Sequence, residues 1–345
     1  MKKIVYLGPD HVEYQDAPEP AAGSGNALIR VAFAGICGSD MIIYQGVHPR
    51  AKPPLVPGHE FSGNLLSGHP TITAGTPVTV FPLLSCGQCL ACTSGNPHVC
   101  ESLRLIGIDT DGGMTEVASV PADSIVALPP DMDLKAGAFI EPLAVGIHAV
   151  HRSGFKAGDR VIVYGAGPIG FSVAIRLRYS GAGSIVLLET NAARRDMAKQ
   201  LGFHCIDSSA VKNAKELKES IKELTGNDRT DIVFDCAAHP SVHSFALDLL
   251  RVHGTMVVVG SYKSPAPVDL LKVEFKELTL IGTRVYRRDD FAEAITMLQS
   301  GRIAIDPLLR VNDPVHAATV FRSQLKGTTD IKSLFYMGGQ TQAKI

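Results

Sequence analysis

The stretch Val161-Ile162-Val163-Tyr164-Gly165-Ala166-Gly167-Pro168-Ile169-Gly170 decides how the middle of this chain folds. An apolar run leads straight into glycines spaced G-x-G-x-x-G, and a helix-compatible stretch, Phe171 to Arg178, follows. In that context each glycine has its own task. Gly165 permits a tight turn, Gly167 lets the backbone approach a pyrophosphate, and Gly170 allows close helix–strand packing. The free N–H groups of the helix N-terminus then face the phosphates, with Ile169 beside them. A carboxylate stands where the ribose belongs: Glu189, nineteen residues past Gly170 at the end of the next apolar run. Its oxygens can accept from both ribose hydroxyls and would repel a 2′-phosphate, so NAD is expected rather than NADP. Arg194 and Arg195 pull the other way, since arginines in this loop also suit a 2′-phosphate.

Working outward, the same rhythm of apolar strand, glycine turn and helix repeats from about 145 to 285. Strands are expected at Arg160 to Tyr164, Ser184 to Leu188, Asp231 to Asp235 and Thr255 to Val259, with helices at Ala193 to Leu201 and Asn213 to Leu224. Short apolar strands separated by helices indicate a doubly wound parallel sheet. Residues 1 to about 140 read differently, with many Gly and Pro and short β-branched runs such as Ala27 to Ala32 and Pro77 to Phe81. That punctuation suggests a barrel-like, all-β unit with long loops. The tail from about 286 adds one helix, Asp290 to Gln299, and a return strand.

The chain's 345 residues suit two domains. With 45% apolar residues and a net charge of −1, it has material for large cores and no basic field for nucleic acid or acidic lipid. No apolar stretch approaches a membrane span, and the N-terminus lacks the apolar core of a secretory signal. The expected location is the cytoplasm.

Four of the seven cysteines form the array Cys86-x2-Cys89-x2-Cys92-x7-Cys100. Four thiolates in one small loop can enclose a tetrahedral Zn²⁺ and leave no open position, which makes the site structural. Buried reduced thiols and an iron–sulfur cluster are the alternatives, although the spacing departs from the ferredoxin run. A catalytic zinc needs three protein ligands and a free position. Gly35-Ile36-Cys37-Gly38-Ser39-Asp40 and Pro57-Gly58-His59-Glu60 could supply them. Taken singly, a lone cysteine is usually core filler and a lone His-Glu pair usually surface. Glu141, within the apolar Phe139-Ile140-Glu141-Pro142, must be paired, protonated or metal-bound. Cys205 and Cys236 are left over and are expected to be core thiols.

With these motifs in this order, the chain resembles the zinc-dependent medium-chain dehydrogenase/reductase family, and within it the polyol and sugar dehydrogenase branch. Pro57-Gly58-His59-Glu60-Phe61-Ser62-Gly63 and Asp111-Gly112-Gly113 also carry the resemblance. It implies a GroES-like, mainly β catalytic domain over 1–144, completed by 286–345, and a Rossmann NAD-binding domain over 145–285. It also implies two zinc ions per chain. Cys37, His59 and Glu60 (directly or through water) would hold the catalytic zinc, with Glu141 a nearby or exchangeable ligand. Ser39 would bond the substrate hydroxyl and start its proton outward, while Ile169, Glu189 and Arg194 would contact the cofactor. The implied reaction is reversible oxidation of a secondary alcohol of a polyol, sugar acid or sugar phosphate by NAD. The family usually forms homodimers or homotetramers, and Leu278 to Ile281 is compatible with such an interface.

Two departures stand out. No histidine follows Cys37 closely, and His48 is the candidate substitute near the substrate. The segment Asn64 to Thr76 is short for the family. Arg284 could bind a substrate carboxylate or phosphate. L-Threonine or a small diol is the rival substrate, and a non-catalytic NAD-binding regulator is the rival from another class.

Overall fold

The computed structural model describes residues 1–327 and 330–338. Residues 328–329 and 339–345 of the expected C-terminal segment lie outside the described residues. The chain forms two compact units, one of residues 1–141 with 287 onward, the other Pro142–Tyr286.

The second unit is built on a six-stranded sheet whose pairings are all parallel. Its order is His204–Asp207, Ser184–Glu189, Arg160–Tyr164, Thr230–Asp235, Leu250–Val258, Thr279–Gly282. The first of these strands in chain order, Arg160–Tyr164, lies in the middle and the order reverses beside it, which is the Rossmann arrangement. The central strands are those with unbroken apolar runs, because both faces of a parallel sheet are covered. The two outermost strands escape that pattern: His204–Asp207 is only half-buried and Thr279–Gly282 is largely exposed. Leu250–Val258 begins earlier than its apolar core suggests. Its register against Thr230–Asp235 shifts before Ile232, where Arg251, His253 and Gly254 interrupt the apolar sequence.

In the first unit, a seven-stranded sheet centres on Asn26–Gly35. The strand Glu60–Ser67 pairs antiparallel along one side of it, with Gly35 opposite Glu60. The C-terminal strand Lys332–Tyr336 also pairs antiparallel with it, with Leu334 opposite Gly35. Residues almost 300 positions apart therefore meet at the end of one strand, where Lys332 donates to Ile36 O.

One long helix, Leu134–Arg152, has no counterpart in the sequence reading. Two features hide it. Pro142 sits inside it and lacks the N–H that a helical ladder uses. Its centre, Ala138 to Ala144, is also buried all round, so it shows no polar stripe. The helix starts on the Glu60–Ser67 strand: Ser62 donates to Leu134 O, and Thr79 donates to Gly137 O at 3.1 Å. No helix among the described residues is long and apolar enough to cross a membrane.

Candidate active site

The cysteine loop is held by little besides its sulfurs. Its helical turn, Leu90–Thr93, buries no residue, and Leu90 is 77% exposed. Four sulfur–sulfur distances run from 3.5 to 3.9 Å: Cys89–Cys92, Cys86–Cys100, Cys89–Cys100 and Cys86–Cys92. A tetrahedron of 2.3 Å Zn–S bonds has edges of about 3.8 Å. A disulfide needs about 2.05 Å, and an iron–sulfur cluster spreads its thiolates over separate irons. The donor set and its spacing fit one zinc with no open position.

Cys37 lies at the end of the Asn26–Gly35 strand and caps the helix Gly38–Tyr44, while His59 directly precedes the strand Glu60–Ser67. The turn into His59 needs Gly58, whose φ of +97° suits a glycine and whose Cβ would press on Met114. Together these elements bring Cys37, His59 and Glu60 into one group whose ligand atoms all lie within 4.8 Å of one another. Glu141 is not in that group, but its charge acts on His59 from the buried helix.

The electrostatics favour a cation. Burial alone would drive His59 to its neutral form, yet the Cys37 sulfur and the Asp40 and Glu141 carboxylates hold its pKa well above the usual histidine range. Asp40 is fully buried, and burial pushes its pKa up. One of its oxygens accepts from Cys37 N at 2.8 Å; the other faces His59 Nδ1 at 4.0 Å. A carboxylate behind a ligating imidazole orients the ring toward a metal. Ser39 Oγ is buried with no hydrogen-bond partner among the described residues, as are His59 Nδ1 and that second Asp40 oxygen. Such orphaned polar atoms call for a ligand or solvent. Thiolate, imidazole and carboxylate match the donor types of catalytic zinc.

His48 is half-buried, and its Nδ1 accepts from Arg50 N at 3.3 Å and Ala51 N at 3.1 Å. Burial, then Arg50, lowers its pKa, and the charge of His59 reaches it. It is therefore a neutral ring with Nε2–H left to donate.

In the Rossmann unit, the helix Pro168–Tyr179 begins three residues earlier than expected, with Pro168 at its first turn. Gly165 turns with φ +92°, and a Cβ on Gly170 would collide with Gly165 O. Glu189 is buried against this turn. One carboxylate oxygen accepts from Ala166 N at 2.8 Å, and the other from Asn191 N at 2.8 Å. The two arginines separate in role: Arg195 pairs with Asp207 at 2.9 Å, while Arg194 stands 4.0 Å from Glu189 and beside Gly167. Ile169 is half-buried in the first helical turn. Arg284 is exposed past the edge strand Thr279–Gly282, in the unit that does not contain the metal-type group. Cys205 and Cys236 are half-buried rather than fully buried, because each sits near a strand end. Burial raises both thiols, Cys205 to about 11, so neither is activated.

Sequence reasoning missed Asp40 and Lys332. Asp40 carried a signal, an acid in the first turn of a helix capped by a metal-type cysteine. Lys332 carried none.

A dinucleotide turn in one unit and thiolate–imidazole–carboxylate chemistry in the other are the marks of a metal-assisted oxidoreductase. Comparisons agree. Residues 23–130 match the alcohol dehydrogenase GroES-like domain, and residues 168–300 match the zinc-binding dehydrogenase family. The 2-dehydro-3-deoxy-L-galactonate 5-dehydrogenase of Pseudoalteromonas atlantica is 35% identical over 90% of this chain and 91% of its own. The L-galactonate-5-dehydrogenase of Escherichia coli is 33% identical over 90% of each. Among solved structures, a short chain alcohol dehydrogenase of Escherichia coli CFT073 complexed with NADH superposes with TM-score 0.88, at 29% identity over 97% of this chain and 99% of its own. A putative zinc-binding dehydrogenase of Sinorhizobium meliloti 1021 bound to NADP gives 0.89, at 28% over 97% and 98%. The chain belongs to the zinc-dependent alcohol dehydrogenase family, in its polyol and sugar dehydrogenase branch. It is an enzyme that oxidises a secondary alcohol with zinc and NAD(P), which sets aside the non-catalytic regulator.

Proposed function

We propose that this enzyme prefers NAD and that its substrate is a polyol, sugar acid or sugar phosphate, which it converts to the corresponding ketone. The observation that carries this reading is the Cys37–His59–Glu60 group with the unpartnered Ser39 hydroxyl beside Cys37. Residues 1–144 with 286–345 would hold metal and substrate, and 145–285 the cofactor. Cys86, Cys89, Cys92 and Cys100 would hold a structural zinc; Cys37, His59 and Glu60, directly or through water, would hold the catalytic one, with Glu141 a nearby or exchangeable ligand.

When bound, zinc supplies a Lewis acid for the substrate hydroxyl and the nicotinamide a hydride acceptor. Ser39 Oγ would accept a hydrogen bond from the substrate hydroxyl, the first station on its proton's way out. His48 Nε2–H would donate to a substrate oxygen. Gly165, Gly167, Ile169 and Gly170 receive the pyrophosphate at the Pro168–Tyr179 helix N-terminus. Glu189 keeps lone pairs for the ribose hydroxyls, and its charge opposes a 2′-phosphate. Arg195, already bound to Asp207, is not free to offset that charge.

The galactonate dehydrogenases, at 33–35% identity, favour an acid sugar. Relatives named L-threonine 3-dehydrogenase and (R,R)-butanediol dehydrogenase, each 31% identical, support the rival substrates. Assays of hexitols, aldonates, sugar phosphates, threonine and butanediol with NAD and NADP separate these readings. NADH formation with aldonates or polyols is expected; activity confined to threonine or the diol would refute the substrate class. His59→Ala should abolish turnover, a fall of at least about 10³-fold, while the far-ultraviolet spectrum is retained. Full activity in that variant would remove the metal role assigned to His59.

Among the described residues the sheet of the second unit ends on an unpaired strand edge, Thr279–Gly282, and Leu270, Leu271 and Phe275 on the preceding helix are 62–76% exposed. An apolar strand edge invites pairing, which supports a homodimer through this edge, or a homotetramer built from such dimers. Cysteines that fit metal sites, with Cys205 and Cys236 left as thiols, support a reducing, cytoplasmic location.

A further inference from the structure

Asp235 ends the strand Thr230–Asp235 and is fully buried. Its backbone oxygen accepts from Val259 N at 3.0 Å and Gly260 N at 2.9 Å. One carboxylate oxygen accepts from Ala237 N at 3.1 Å and Ala238 N at 2.9 Å. The other accepts from the Tyr262 hydroxyl, which also lies 3.5 Å from His239 O. One residue thus fastens two loops: 236–239, after its own strand, and 259–263, after the strand Leu250–Val258. The loops leave no room between them. A Cβ on Gly260 would stand 2.8 Å from Ala238 Cβ. Ala238 sits at φ +49°, which an alanine keeps only where its surroundings hold it. A Cβ on Gly165 would lie 3.3 Å from Ala237 N, so the first loop also backs the dinucleotide turn.

The sheet order gives these loops their place. A dinucleotide lies across the carboxyl ends of such a sheet, with one nucleoside on each half. Glu189 ends a strand of the half made by Arg160–Tyr164, Ser184–Glu189 and His204–Asp207, so that half takes the adenosine. Asp235 and Val258 end strands of the other half, which is left for the nicotinamide nucleoside. Burial, then the bond to Asp235, pushes the half-buried Tyr262 phenol up, so it stays a donor at any working pH. We propose that Tyr262 is a positioning residue: through Asp235 it locks loop 259–263 as the wall that seats the nicotinamide end of the cofactor. This rests on the reading that residues 145–285 bind the cofactor with Glu189 on the adenosine ribose.

The test uses the full-length protein and two probes, NADH and ADP-ribose. ADP-ribose carries the adenosine, both phosphates and the second ribose, but no nicotinamide. Tyr262→Phe removes only the hydroxyl. NADH, followed by its fluorescence, should then bind about tenfold more weakly. ADP-ribose, measured by calorimetry, should bind as it does to the native protein. Without cofactor, amide hydrogen exchange in 259–263 should rise by a similar factor, while the central strands stay protected. In Asp235→Asn the carboxamide oxygen still accepts from Ala237 and Ala238, and its nitrogen donates to the Tyr262 oxygen. The loop stays bonded, so NADH affinity should be retained.

A tyrosine that served only packing would lower thermal stability and weaken both probes alike. That outcome overturns the proposal, as does unchanged NADH affinity in Tyr262→Phe. So does an equal loss of NADH affinity in Asp235→Asn. The cofactor reading fails separately, and the proposal with it, if Glu189→Ala leaves the affinity for both probes unchanged.

Discussion

Asp231 shows how a single half-buried charge is decided by its neighbours. Burial alone would raise its carboxyl, but Arg251 Nε at 2.5 Å and the Arg160 N–H at 2.9 Å, with both guanidinium charges, hold it below the usual range. A carboxyl lowered on folding contributes stability that is complete above its unfolded value of about 3.9 and is lost as pH falls through the folded value. Asp231→Asn should therefore unfold at lower urea than the native protein at pH 7, and the two midpoints should converge below about pH 4. A gap that stays constant from pH 7 to pH 3 would contradict this account. At this scale the chain was legible where residue types are rare together: the four clustered cysteines and the glycines before Gly170. It was not legible at Lys332, since a lysine in Ile331-Lys332-Ser333 looks like any exposed residue. Only the pairing of its strand with Asn26–Gly35 buries it.

Elements differ in what holds them. The Pro168–Tyr179 helix buries seven residues, from Gly170 to Leu177, and needs nothing else. The cysteine loop has only Cys100 and His98 buried between residues 86 and 100, so metal binding must supply its folding energy. Cys89→Ser should lower zinc content by about one ion per chain. It should also open residues 86–100 to limited proteolysis, while NADH binding by the Rossmann unit persists. A variant with full zinc and an uncut loop would disprove the assignment. The Leu134–Arg152 helix marks the opposite limit of sequence reading. Periodicity finds helices with one wet face, and this one is buried around its centre and carries a proline.

At the scale of the whole molecule, the Thr279–Gly282 edge, unpaired among the described residues, and the exposed Leu270, Leu271 and Phe275 predict self-association. Light scattering during gel filtration should give at least a dimer at micromolar concentration. Phe275→Glu with Leu271→Glu should shift it toward monomer, and a native monomer would refute the interface. By itself, the sequence determined the sheet of the middle segment, its dinucleotide turn, and a four-thiolate loop. In each case the groups involved are neighbours in the chain or repeat with a local period. Only tertiary structure decided that Cys37, His59 and Glu60 form one group, that Asp40 stands behind His59, and that Lys332 faces Glu60. Those contacts are made by strand pairing and by tight turns such as Gly58. Register between strands distant in sequence is set by the packing of the whole sheet, and no local pattern encodes it.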